Sequence, residues 1–313
     1  MKVLITNKVP RDHLAPLDGL AEILMGPDGG PLMPREEVLK LAPELDAIIN
    51  QHELRVDREL LAAAPHLKIV ANVAIGYNNF DLEALEEYGV VGTNVPGVFS
   101  ESAADHALGL LLSVARRITE ADAYCRSGRW AEDGFQPGPR GRLLLSGKTI
   151  GILGFGQIGQ AVAKRAEAFG MRVLFYDAFD KNDPRQRPLE TLLRESQVVS
   201  LHVPLTDETH HLIDRETLAL LPEGSIVINL ARGPVVNETD LADAIASGHI
   251  LGAGMDVAEN EPHLHPGLVE HPRVVFTPHI GGGTTESRKQ ARLVCARNVA
   301  AVLSGARPPN SVV

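Results

Sequence analysis

Short apolar runs alternate with stretches of helical period along most of this chain, a pattern that predicts parallel strands joined by crossover helices. In the N-terminal part, residues 3–6, 22–25, 47–50, 68–71 and 90–93 read as strands. Between them, residues 35–41, 57–63 and 81–88 repeat apolar positions with helical spacing and start acidic, as helices do. The expectation is a parallel α/β unit of flavodoxin type. A long amphipathic helix is predicted over 102–123. The segment 128–147, rich in glycine and proline, reads as a loop or an arm.

From Thr149 the alternation resumes, with strands predicted at 149–153, 172–176, 198–202, 225–229, 251–256 and 274–277. Six strands make a complete doubly wound dinucleotide-binding domain. A last helix, 284–303, follows the sixth strand and has no place in that sheet, so it is expected to return to the first unit. The predicted fold class is therefore α/β, with two doubly wound parallel-sheet domains around a cleft. One is discontinuous (1–99 and 285–313) and flavodoxin-like; the other (100–284) is of Rossmann type. No internal repeat is evident beyond the two similar units.

The first strand of the second unit runs into Gly154-Phe155-Gly156-Gln157-Ile158-Gly159, then a helical stretch over 160–169, then a strand ending in Asp177. A dinucleotide needs this order. The first glycine allows the turn, the second lets backbone N–H groups approach a pyrophosphate, and the third lets helix pack on strand. The helix N-terminus adds about half a positive charge facing the phosphates. Asp177 would accept hydrogen bonds from the ribose hydroxyls and repel a 2′-phosphate, which favours NAD over NADP. Ala178 follows it, so no arginine adjoins the carboxylate; Lys181, Arg185 and Arg187 further on are expected to be solvated.

Composition narrows the classes. The chain has 313 residues, 44% of them apolar and 22% charged, with a net charge of −10. That balance argues against a nucleic-acid-binding surface. Cys125 and Cys295 form no metal or redox spacing, fit a reducing compartment, and are expected to be buried. The N-terminus enters a strand directly without the apolar core of a signal peptide. The most apolar helical stretch, 107–115, is too short to span a membrane. A cytoplasmic protein is expected. His263 and His265 flank Leu264 without further ligands at a fitting spacing, so no metal site is expected.

In open α/β sheets, ligands sit outside the carboxyl ends of the strands. Arg232 follows the fourth strand of the second unit, Glu261 the fifth and His279 the sixth. Singly, each has a bland explanation: a solvated charge, an acidic loop in which Glu259 competes with Glu261, an idle loop histidine. Together, at successive strand ends beside a glycine loop, they point to chemistry. A guanidinium can hold a carboxylate through two parallel hydrogen bonds. A histidine can donate or accept a proton, and a carboxylate on its other nitrogen favours the protonated ring and fixes its orientation.

These segments, with the turn Val73-Ala74-Ile75-Gly76-Tyr77-Asn78-Asn79-Phe80-Asp81, with Asn94-Val95-Pro96-Gly97-Val98 and with Leu201-His202-Val203-Pro204-Leu205-Thr206, give the whole chain its resemblance to a known family. It resembles the D-isomer-specific 2-hydroxyacid dehydrogenases, most of all their glyoxylate/hydroxypyruvate reductase branch. The resemblance implies NAD(H)-dependent reduction of a small 2-keto acid, glyoxylate or hydroxypyruvate, to the D-2-hydroxy acid. It makes Arg232, Glu261 and His279 the catalytic set, and the 1–99/285–313 domain the substrate-binding one. Backbone N–H groups of Ala74, Ile75 and Gly76 would bind the substrate carboxylate with Arg232 and His279, and Gln51, His52 and Leu54 are pocket candidates. To the cofactor it assigns Gly154, Gly156, Gln157, Ile158, Gly159, Asp177, His202, Pro204, Thr209, Ala231, Asp256 and Gly281. It implies a homodimer through the cofactor domain, with an arm carrying Trp130. A D-lactate or D-3-phosphoglycerate type dehydrogenase, or an NADH-sensing corepressor-like protein, are the alternatives. Phosphite-oxidising relatives carry a lysine where this chain has Ile75. Formate-oxidising ones lack the glutamate–histidine pair.

Overall fold

The structure, a computed structural model, describes residues 1–27, 32–51, 53–135 and 143–313. It divides into two compact units, Met1–Phe99 with Thr284–Val313, and Ser100–Gly283.

The first unit is built on a parallel sheet of β1 (Lys2–Ile5), β2 (Glu22–Met25), β3 (Ala47–Asn50), β4 (Ile69–Asn72) and β5 (Val91–Thr93). Its order, β2-β1-β3-β4-β5, is the flavodoxin order. Alternation along the strands splits the core in two. Leu4, Ile48 and Val70 face one apolar layer, whereas Val3, Ile5, Ala47, Ile49, Ile69 and Ala71 face the other. Both faces are covered, as a parallel sheet requires. The helix Thr285–Leu303 supplies Ala291, Cys295, Ala296 and Val299 to the second layer, and Cys295 is fully buried. Asp57 and Asp81, expected as the first residues of helices, instead cap them, each accepting from the N–H three residues on.

The second unit carries β6 (Thr149–Leu153), β7 (Arg172–Tyr176), β8 (Val198–Leu201), β9 (Ser225–Asn229), β10 (Ile250–Met255) and β11 (Val274–Phe276), all parallel. They lie in the order β11-β10-β9-β8-β6-β7. In a complete six-strand set another strand would lie beyond β7. Here that position is reduced to one bridge between Gln186 and Phe175, and the sixth strand extends the opposite edge.

Three expectations change at this level. The helix expected over 102–123 is two, Ser100–Arg116 and Ile118–Arg126. Arg117 between them takes a left-handed backbone (φ 54°) and pairs its guanidinium with Glu120 at 2.6 Å. The apolar stripe ends there: Leu110, Leu111, Val114 and Ala115 are buried, but no residue of Ile118–Arg126 is. Cys125 is therefore exposed rather than buried. Finally, the helix after the glycine loop begins at Gln157 rather than 160, capped by Gly156, so that Gly159 lies inside its first turn. In the segment read as an arm, Arg129–Asp133 is a short helix and Trp130 is half exposed; residues 136–142 lie outside the described residues.

A Cβ at Gly159 would lie 2.1 Å from the Gly154 carbonyl oxygen, whereas one at Gly109 would meet nothing within 4 Å. Gly159→Ala is expected to destabilise by about 1–3 kcal/mol through overpacking. Gly109→Ala should stabilise by about 0.5–1 kcal/mol through helix propensity. Urea unfolding midpoints of the two variants check both signs.

Candidate active site

The carboxyl ends of β6 to β11 share one edge, and the glycine loop opens it. Gly154 (φ +91°) donates its N–H to Tyr176 O at 2.8 Å, and a Cβ there would lie 2.7 Å from the His202 carbonyl. Gly156 differs: a Cβ there would meet nothing within 4 Å. The cap residue offers no side chain to the first N–H groups of Gln157–Ala168, and those of Gln157, Ile158 and Gly159 have no hydrogen-bond partner among the described residues, as a ligand-binding helix N-terminus requires. Gly156 thus keeps clear a space that the protein itself does not fill, the property a phosphate cradle needs.

Asp177 ends β7 beside that loop. Its Oδ2 accepts from Phe155 N–H at 2.8 Å and its Oδ1 from Phe179 N–H at 3.0 Å. Burial alone would raise its pKa, but those two N–H groups and Lys181 outweigh it and hold the carboxyl below its ordinary value. Lys181 is not simply solvated, since its Nζ lies 3.4 Å from Asp177 Oδ1. Arg185 pairs with Asp183 and Glu167, and Arg187 donates to Pro184 O and Gln186 O. A depression of about 620 Å³ bordered by Tyr176, Asp177, Gln186 and Arg187 adjoins this end, a size suited to part of a nucleotide.

After β8, Thr209 Oγ1 donates to Pro204 O at 2.6 Å and closes the 204–209 loop on itself. His202 Nε2 lies 2.8 Å from Ser200 Oγ, and its Nδ1 is buried with no partner among the described residues. Burial pushes this imidazole down to about 3, so it is neutral at physiological pH.

Arg232 follows β9. Asn229 fixes the turn, accepting from Ala231 N–H at 2.9 Å and donating to Arg232 O at 3.1 Å. Arg232 Nη1 donates to Ala231 O at 2.7 Å. The next residue, Gly233, packs on the loop after β10, where a Cβ would stand 1.8 Å from Ala258 O. That contact brings Arg232 near Glu261: burial lowers the guanidinium pKa, and the Glu261 charge opposes the change.

Glu261 Oε1 accepts from Ala258 N–H at 3.2 Å, and Oε2 lies 3.0 Å from His279 Nδ1. Burial would raise the Glu261 carboxyl, but His279, Ala258 N–H and Arg232 together hold it below the ordinary value. The competitor Glu259 is taken elsewhere, by His211 Nε2 at 2.6 Å. His279 itself has a left-handed backbone (φ 53°). Its N–H donates to Asp256 O at 2.8 Å, while Ile280 and Gly281 N–H donate to the Asp256 carboxylate at 2.9 and 2.8 Å. Asp256, 3% exposed, is thus engaged by the protein. Burial raises its pKa, but His106, Thr277 and these N–H groups outweigh it and keep it ionised.

In the first unit the turn Ala74-Ile75-Gly76 follows β4. Its three carbonyls are held from behind by Val95 N–H (3.0 Å), Asn94 Nδ2 (2.8 Å) and Asn72 Nδ2 (3.4 Å). The turn's own N–H groups make no hydrogen bond among the described residues, which leaves them for an anion. Asn50, Asn72 and Asn79 link side chains, and Asn50 and Asn79 both donate to Leu54 O, tying the loop after β3 to this turn. Sequence reading passed over Asn50 and Asn72, because nothing in a strand-end asparagine tells which amide it will meet. Leu54 is buried in the core, Gln51 has a buried Nε2 without a partner among the described residues, and His52 lies outside them. Among the described residues no group of three or more His, Cys, Asp or Glu is placed to hold a metal, and no helix is long and apolar enough to cross a membrane.

An arginine beside a carboxylate-backed histidine, on the sheet edge that also carries a glycine cradle, is equipment for a nucleotide-dependent dehydrogenase acting on an acid. The family model for the D-isomer specific 2-hydroxyacid dehydrogenase NAD-binding domain matches residues 108–281. A glyoxylate reductase from Thermococcus litoralis is 43% identical over 99% of this chain and 96% of its own length. A crystal structure of a protein from Thermus thermophilus superposes with a TM-score of 0.94 at 42% identity, covering 100% of both chains. The NADPH-dependent glyoxylate/hydroxypyruvate reductase of Sinorhizobium meliloti, solved with NADP and malonate, gives 0.85 at 29% identity over 100% and 96%. This chain belongs to the D-isomer specific 2-hydroxyacid dehydrogenase family, in its glyoxylate reductase branch. It is an NAD(P)-dependent oxidoreductase.

The neutral His202, partly exposed but with a buried Nδ1, predicts a pH effect on stability. The unfolded ring titrates near about 6.5, so as pH falls the unfolded state binds a proton first. Stability should be full above that pH and decline toward the folded value of about 3. Between about pH 7 and 4.5, urea unfolding of the wild type should weaken more steeply than that of His202→Gln. Parallel curves would mean that the ring takes up its proton in the fold at the same pH as in the unfolded chain.

Proposed function

We propose that the protein reduces a small 2-keto acid, glyoxylate or hydroxypyruvate, to the D-2-hydroxy acid with NADH. The observation that carries this reading is the His279–Glu261 pair at 3.0 Å with Arg232 beside it. Gly154, Gly156 and Gly159 with the first turn Gln157-Ile158 would hold the pyrophosphate, and Asp177 the ribose. His202, Pro204, Thr209, Ala231, Asp256 and Gly281 would line the rest of the cofactor site. NADH, when bound, supplies the hydride for C2.

The remaining work falls to side chains of this chain. Arg232, protonated at any working pH, binds the substrate carboxylate and polarises the keto oxygen. The N–H groups of Ala74, Ile75 and Gly76 assist with the carboxylate. His279, turned by Glu261 through Nδ1, gives its Nε2 proton to the keto oxygen; in the oxidising direction it takes that proton back. Glu261, held ionised, compensates the positive ring. The negative Asp177 favours NADH over NADPH, because a 2′-phosphate would meet its charge. Exposed Ile118, Trp130 and Phe135, on or beside helices that bury nothing, support a dimer formed through this surface.

The test is NADH oxidation against glyoxylate, hydroxypyruvate, pyruvate, phosphohydroxypyruvate and oxaloacetate, repeated with NADPH. Glyoxylate or hydroxypyruvate should lead, with kcat/KM above about 10⁴ M⁻¹s⁻¹. Arg232→Ala should lose about 10²–10³-fold in kcat/KM. His279→Gln should lose about 10²–10⁴-fold in kcat while retaining NADH binding. Near-normal turnover in either variant removes the assignment of that residue.

A further inference from the structure

The loop that presents His279 is held by more than Asp256. Thr277 Oγ1 donates to Asp256 Oδ1 at 2.6 Å, and His106 Nε2, on the helix Ser100–Arg116, lies 2.8 Å from Thr277 Oγ1 and 3.4 Å from Asp256 Oδ1. A hydroxyl has one proton, and Thr277 gives it to the carboxylate. Toward His106 it can therefore only accept, so Nε2 of His106 carries the hydrogen. The result is a one-way chain: His106 N–H to Thr277, Thr277 O–H to Asp256, and Asp256 accepting in turn from the N–H groups of Ile280 and Gly281. The backbone N–H of His279 meets the carbonyl of the same aspartate at 2.8 Å. A Cβ at Gly281 would lie 2.8 Å from Asp256 Oδ2, so a larger residue there would push on that carboxylate.

These bonds have a cost to offset. His279 is a non-glycine residue at φ 53°, a backbone region that side chains disfavour. Left to itself the segment would relax, and the ring would swing from Glu261. One aspartate holding three successive N–H groups prevents that. The oxygen that accepts from Ile280 N–H, Oδ1, is held as well by the Thr277 hydroxyl, which His106 backs. His106 Nε2 reaches both that hydroxyl and that carboxylate, and its side chain is 23% exposed.

We infer that His106 is a positioning residue for the reaction, acting through Thr277 and Asp256 to lock the loop 277–281 and hold His279 in its left-handed, Glu261-facing conformation. The inference rests on the reading of His279 as proton donor. It adds a third histidine whose task is to donate one hydrogen bond, not to exchange a proton with the substrate. Small misplacement of a catalytic group is expensive, about 10²-fold in rate for 1 Å. His106 does not touch Arg232, so its loss should fall on kcat rather than on the keto-acid KM.

The experiment compares His106→Leu and Thr277→Val, which remove the donor or the relay, with His106→Gln and Thr277→Ser, which retain them. In the first pair kcat should drop about tenfold with the keto-acid KM nearly unchanged. The second pair should stay within about threefold of wild type. Amide hydrogen exchange of residues 279–281, followed by mass spectrometry, is the second readout. It should accelerate about fivefold or more in the first pair only. Wild-type kcat and wild-type exchange in His106→Leu would overturn the inference, as would a His106→Gln variant as impaired as His106→Leu. If the wild type reduces no 2-keto acid, the proposed reaction fails by itself, and the exchange rates still decide whether His106 locks this loop.

Discussion

Two loops in the second unit lie in backbone contact, and most of the site follows from that contact. Gly233, just after β9, packs on Ala258, just after β10, so closely that no other residue fits. Parallel strands side by side already place their carboxyl ends on one edge. The glycine removes the remaining distance. Arg232 precedes it and Glu261 lies three residues beyond Ala258, so a guanidinium and a carboxylate from different strands come within electrostatic reach. β11, next in the sheet, delivers His279 to the same carboxylate at 3.0 Å.

Carboxylates on this edge divide between construction and chemistry by what stands around their oxygens. Asp256 is surrounded by N–H and hydroxyl donors and is a fixed part of the scaffold. Glu259 is tied to His211 and to Glu238 N–H, whereas Asp177, with one backbone N–H on each oxygen, keeps lone pairs for further hydrogen bonds. Glu261, like Glu259, holds one backbone N–H and one histidine, His279, with Arg232 close enough to add to the depression of its pKa. Among acidic residues close in sequence, that nearby arginine sets Glu261 apart from Glu259.

Much of this could be read from the chain because strand and loop chemistry are local. Strand positions follow from apolar runs, and the tight turn at Gly154 and the close packing at Gly159 follow from the order of the glycines in the dinucleotide loop. That Arg232, Glu261 and His279 lie at one edge was legible because they follow successive strands of a parallel sheet. What sequence missed depends on tertiary partners. The helix break at Arg117 needs Glu120 and the end of buried packing, which periodicity blurs. The strand position beyond β7 is one bridge at Gln186, too short to leave a pattern. The asparagines behind Ala74–Gly76, and His106 on an amphipathic helix, look like ordinary polar positions until their partners are in view.

The division of labour among Arg232, Glu261 and His279 is tested most directly by a crystal structure of the protein with NADH and oxamate, an unreactive analogue of a 2-keto acid. The expected result has the oxamate carboxylate on the Arg232 guanidinium and its carbonyl oxygen in hydrogen-bond contact with His279 Nε2. Glu261 should remain on Nδ1. Oxamate bound away from Arg232, or a His279 ring released from Glu261 and turned from the ligand, would contradict the assignment.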